Sequence, residues 1–140
     1  MYPFIESKKN TRLILEFLKK RLFSITGNNF YSGIIVFIIH FLIGGSTLIY
    51  LIFGNVKNDF YFISMLTWII IFIMHVYFKG CILVKLEREL WNNKRWFGPW
   101  TLPFFTLELF GFQINKKNSN FIFIGWSLIL AIFVLYKVFL

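Results

Sequence analysis

From residue 31 to residue 54 the chain carries no Asp, Glu, Lys or Arg, and two further apolar stretches, 60–84 and 121–140, carry only Lys79 and Lys137. A helix rises about 1.5 Å per residue, so each stretch is long enough to cross a hydrocarbon core roughly 30 Å thick. The remaining residues could not shield that much apolar surface from water. The chain is 58% hydrophobic and 15% charged, against about 45–50% and about 25% in an ordinary soluble domain. The expected fold is therefore an all-α integral membrane protein with three transmembrane helices. Residues 31–84 form a hairpin around the polar turn at 55–59, and 121–140 form the third span.

Residues 1–30 alternate differently. On a 3.6-residue wheel Leu13, Ile14, Phe17, Leu18, Leu22 and Ile25 share one face, while Arg12, Glu16, Lys19 and Lys20 share the other; Arg21 and Phe23 break the pattern. A basic amphipathic helix of this kind lies in the membrane surface with its cations among the headgroups. Gly27-Asn28-Asn29 is expected to end it, because Gly and Asn tolerate the left-handed backbone that closes a helix.

Residues 85–120 form a basic and aromatic loop containing one more apolar stretch, 97–114. That stretch includes Pro99, Pro103 and Glu108. A carboxylate at the centre of a span costs about 2.5–3.5 kcal/mol, which favours an interfacial or re-entrant segment over a fourth crossing. The cations agree. Six Lys and Arg precede the first span, seven lie from Lys79 to Lys117, and only Lys57 and Lys137 fall elsewhere. Three spans place thirteen on one side and two on the other, so the basic side, with the N-terminus, is expected in the cytoplasm. The net charge of +9 thus flanks apolar blocks and points to anionic headgroups rather than nucleic acid.

Chemistry-bearing side chains are few. His40 and His75 each lie nine residues from the inner end of their predicted spans, about 13 Å deep at the helical rise, and a short turn makes the two helices neighbours. Imidazoles at matching depth suit interhelical hydrogen bonding. The sharper alternative is axial ligation of a b-type haem, or a quinone site, with His40 and His75 as the cofactor-binding pair. Gly44 and Gly45 would let another helix or a flat cofactor approach the backbone closely. Lys137 is expected to snorkel to the headgroups. One cysteine, Cys81, excludes an intrachain disulfide and leaves a zinc site without its usual thiolates.

Cys81 opens the run Cys81-Ile82-Leu83-Val84-Lys85-Leu86-Glu87. The run is similar to a Cys-x-Leu-Thr-x-x-Glu signature of small uncharacterised multi-span membrane proteins. Some of these belong to large DNA viruses, and a related bacterial family of unknown function has a Cys-Pro-Leu-Thr form. Val84 stands where that signature has Thr. The resemblance covers about residues 73–90 and implies a multi-span fold, without an activity. On a continuous helix Cys81 and Glu87 lie about 240° apart, so they are not expected to share a face, and Glu87 is expected to be solvated.

Phosphate-binding, zinc-protease and nucleophile-elbow motifs are absent. The reading with the fewest assumptions is a non-enzymatic structural or assembly component of a membrane complex or homo-oligomer. The alternatives are a haem- or quinone-binding redox subunit, and an oligomeric channel or carrier lined by His40, Thr47, Ser64 and Thr67.

Overall fold

The computed structural model describes residues 2–140, with side chains described for 6–101 and 104–140. It is all-helical, with no strand among the described residues. Helix α1 spans Tyr2–Thr26, α2 Asn29–Phe53, α3 Asp59–Tyr77, α4 Ile82–Leu90, α5 Thr101–Leu109 and α6 Lys116–Phe139. A short 3₁₀ turn, Gly98–Trp100, precedes α5. Helices α2, α3 and α6 are long and apolar enough to cross a membrane. Most of their large side chains, such as Phe41, Leu42, Ile70 and Ile132, point away from the protein. So much outward apolar surface requires lipid around it. The chain is a multi-pass membrane protein in contact with the bilayer.

Each boundary has a local cause. Gly27 adopts φ +65° and its N–H bonds Phe23 O at 2.8 Å, closing α1. Asn28, Asn58 and Asn115 then cap α2, α3 and α6, each accepting first-turn N–H groups with its side chain. The second span is shorter than the apolar run that encodes it. Instead of continuing to residue 84, α3 stops at Tyr77. Lys79 and Gly80 take positive φ values of 51° and 122°, and the chain restarts as α4. The loop 85–120 is consequently structured. Its α5 has nine residues, about 13 Å of helix, too short for a fourth crossing.

Packing is concentrated at two levels. At one end Leu15 of α1, Val36 of α2 and Ile82, Leu86 and Leu90 of α4 form one apolar cluster. At the other, Leu51, Tyr61, Leu130 and Val134 join α2, α3 and α6. Helix α1 splits the face expected of it. Leu15, Leu18 and Leu22 pack inward, while Leu13, Ile14, Phe17 and Ile25 remain exposed beside the basic residues. Lys137 does more than reach for headgroups. Its Nζ donates to Ile52 O at 3.0 Å and Gly54 O at 2.9 Å, capping the carbonyl end of α2.

Candidate functional site

Beside the first of these clusters lies a polar constellation. Helix α2 carries His40 to the level of α4, whose inward stripe is Ile82, Leu83, Leu86, Glu87 and Leu90. Glu87 is completely buried. His40 Nδ1 lies 2.9 Å from Glu87 Oε1, and Trp96 Nε1 donates to the other oxygen, Oε2. On the opposite edge of the same imidazole, Nε2 lies 3.5 Å from Cys81 Sγ. The expectation of a solvated Glu87 is therefore overturned. A carboxylate stripped of water must be hydrogen-bonded, and both of its oxygens are. The break after Tyr77 is what makes this possible. Cys81 sits at the N-cap of α4, so the angular separation of a continuous helix does not apply, and His40 bridges it to Glu87.

Cys81 lies outside the spans. Burial pushes its thiol up, but the hydrogen bond to His40 and the backbone N–H groups of Val84 and Leu83 outweigh burial and hold it below its ordinary value. The N–H groups belong to the first turn of α4, which has no helical acceptors for them, so they favour a thiolate. Nothing comparable supports a metal. Among the described residues no three His, Cys, Asp or Glu side chains are grouped to hold an ion.

The constellation is enclosed by aromatic and glycine contacts. Gly98, with φ +64°, presses on the imidazole. A Cβ there would lie 2.9 Å from His40 Cε1 and 2.9 Å from Val84 Cγ2. Gly33 makes room for Trp91, whose indole a methyl group would overlap; Trp91 Nε1 donates to Phe30 O at 3.1 Å. Trp91 meets Trp96 edge to face with centroids 4.9 Å apart, and Phe37 meets Trp96 at 5.7 Å. Arg88 Nε donates to Trp96 O. These contacts fix the indole that holds Glu87.

A cavity of about 720 Å³ opens from the constellation. Cys81, His40 and His75 all line it, as do Gly44 and Gly45. The two histidines thus meet one space, but in different states. His40 turns both nitrogens toward protein partners, whereas the His75 ring stacks on Phe123 at 3.8 Å and 16°. His75 stands two residues from the end of α3, not nine from the end of a longer span. Among the described residues no side chain from another helix reaches the Cβ positions of Gly44 or Gly45. A Cβ at Gly44 would meet nothing within 4 Å, and at Gly45 only the Phe41 ring at 3.9 Å. Their missing side chains widen the cavity.

Glu87, Trp96, Gly98 and Gly33 were not assembled by sequence reasoning. One signal was present: Glu87 stands at i+4 from Leu83 and shares the stripe of Leu86 and Leu90. No family model matches the chain, and no curated protein or solved structure matches it either.

Proposed function

We propose that the protein is a membrane-embedded thiol enzyme that transfers acyl groups through Cys81, with His40 as proton carrier and Glu87 as the group that orients it. The observation carrying this reading is the single imidazole held between a thiol and a fully buried carboxylate. That is the nucleophile–base–orienting-group logic of covalent catalysis. The resemblance to Cys-x-Leu-Thr-x-x-Glu proteins brings no activity with it, but Cys81 and Glu87 stand at the two ends of that signature. Val84, isosteric with the Thr of the signature, packs beside Gly98.

With Nδ1 protonated and donating to Glu87, Nε2 is the basic nitrogen facing the thiol. It takes the Cys81 proton as sulfur attacks an acyl ester or thioester carbonyl. A carbon–sulfur bond forms, the bond to the leaving oxygen or sulfur breaks, and His40 returns the proton to the leaving group. In the second half an acceptor hydroxyl, amine or water gives its proton to His40 and attacks the acyl-Cys81 thioester. The acyl group leaves with the acceptor, and the proton returns to Cys81. The first-turn N–H groups of α4 are suited to stabilising negative charge beside the sulfur. The excess of cations on one side supports a cytoplasmic N-terminus, with this constellation near the same face.

Intact-mass spectrometry after reaction with p-nitrophenyl butyrate tests the reading. An acyl adduct on Cys81, absent in Cys81→Ala and strongly slowed in His40→Ala, is expected. An unmodified Cys81, with ester hydrolysis unchanged by either variant, would return the protein to the non-enzymatic component that its sequence alone favours. An absorption spectrum of the purified protein covers the redox alternative: a Soret band lost in both His40→Ala and His75→Ala would replace the acyl-transfer reading by haem ligation.

A further inference from the structure

The cavity beside Cys81 has two unlike halves. Its lower wall, along α2 from Gly44 to Ile49 and across to Ile71, Trp68 and Phe123, is apolar and lies at the level of the spans. The distance along α2 from His40 to Ile49 is about 13 Å. Its upper rim carries Lys79, Lys85, Arg88, Lys94 and Lys116 against one carboxylate, Glu89. That carboxylate is already engaged by Lys19 at 3.5 Å. Apolar depth below a cationic rim is the shape and charge of an amphiphile: a tail parallel to the helices and an anionic head at the interface. The thiol sits between the two halves, where the head joins the tail.

Two details sharpen the fit. Gly44 and Gly45 leave the tail compartment open where any larger side chain would narrow it. Trp68 Nε1, on a lining residue, has no hydrogen-bond partner among the described residues, and buried polar atoms ordinarily find one. A donor in the wall suits a ligand that carries a polar atom near its tail.

We infer that this cavity binds a single-chain acyl amphiphile with an anionic phosphate-bearing head, placing its acyl carbonyl at Cys81. The chemistry is shared by long-chain acyl-CoA and by lysophosphatidate. The inference rests on the acyl-transfer reading for the role of Cys81, but the binding step can be measured without it.

The experiment is equilibrium binding of radiolabelled palmitoyl-CoA, palmitoyl-lysophosphatidate and monopalmitoylglycerol to the full-length Cys81→Ala protein in nanodiscs of zwitterionic lipid. The anionic probes should bind at least roughly tenfold more tightly than the uncharged one, and the preference should shrink in Lys94→Gln/Lys116→Gln and at high salt. Gly44→Leu and Gly45→Leu should each abolish binding. The pH profile of Cys81 alkylation, measured in the same substitutions on the Cys81-containing chain, reports that the fold around the thiol is intact. Competition by free CoA assigns the soluble acyl carrier, and its absence assigns the membrane lipid. Equal affinity for all three probes, or binding untouched by both glycine variants, overturns the inference. Binding as described with no acyl adduct in the wild type would instead overturn only the acyl-transfer reading.

Discussion

The two ends of the helical bundle solve the same problem in opposite ways. At the far end, apolar Leu51, Leu130 and Val134 pack with Tyr61. Of the two cations at that end, Lys57 lies in the α2–α3 turn, and Lys137 satisfies the open carbonyls of α2 and has Tyr61 and Phe133 rings 5.2 and 5.8 Å from its ammonium. The polar contacts there serve the packing of the three spans. At the loop end, a buried carboxylate, a half-buried imidazole and a half-buried thiol stand in line beside an open cavity. Stability alone gives no reason for that arrangement, because well-packed apolar residues often replace buried ionic pairs with no loss of stability. In the proposed reading the loop end is the working end and the far end is the clasp.

The contrast should be largest when one partner is removed at each end. Glu87→Ala leaves half-buried His40 and Trp96 without their acceptor, and removing one partner of a buried pair costs up to about 3–5 kcal/mol. Lys137→Met removes a helix-terminal cation worth about 0.3–1 kcal/mol, rising to about 2 in partly buried geometry. Thermal unfolding in detergent, followed by tryptophan fluorescence, should rank them in that order. Equal losses would dissolve the distinction between the ends.

Glycines sharpen the same comparison within one helix and its neighbour. Gly98→Ala forces a methyl group against His40 at a positive φ, and overpacking typically costs about 1–3 kcal/mol. Gly44→Ala enters open space, so its stability should stay within about 0.5 kcal/mol of the parent or rise slightly. Melting curves of the two proteins check this. A destabilised Gly44→Ala would mean that the cavity wall is tighter than its geometry.

The smallest effect is a pH dependence confined to the loop end. The native Cys81 thiol titrates below its ordinary value of 9.0, so the folded state favours the thiolate. The stability this adds is full above the unfolded value and is lost as pH falls through the lower, native one. Cys81→Ser should flatten the difference in melting temperature across that window, whereas Lys137→Met should leave it unchanged.

The membrane architecture was legible in the sequence because lipid imposes it by length and composition. Residues 31–54 and 121–140 nearly coincide with α2 and α6, and the Asn caps stand where the apolar runs begin. The working end was not legible in the same way. Phe78-Lys79-Gly80-Cys81 interrupts a run whose hydropathy continues to Val84, so the break in α3 was hidden. Gly80 was the signal that could have marked it, as a helix-ending glycine. Glu87 sits among Lys85, Arg88 and Glu89 and reads as one more solvated charge, although its apolar-stripe position says otherwise. Trp96 and Gly98 join the constellation only through tertiary packing, which no local pattern encodes.

The central claim is that Cys81, His40 and Glu87 act as one unit, and the rate of Cys81 alkylation by iodoacetamide against pH, in intact protein, tests it most directly. The account predicts that the alkylation midpoint of the wild type lies below that of an ordinary thiol. It should move upward in His40→Gln, where the thiol loses its partner, and shift in the same direction by less in Glu87→Gln. A midpoint identical in all three proteins would contradict it, and would leave three buried polar residues that merely share a neighbourhood.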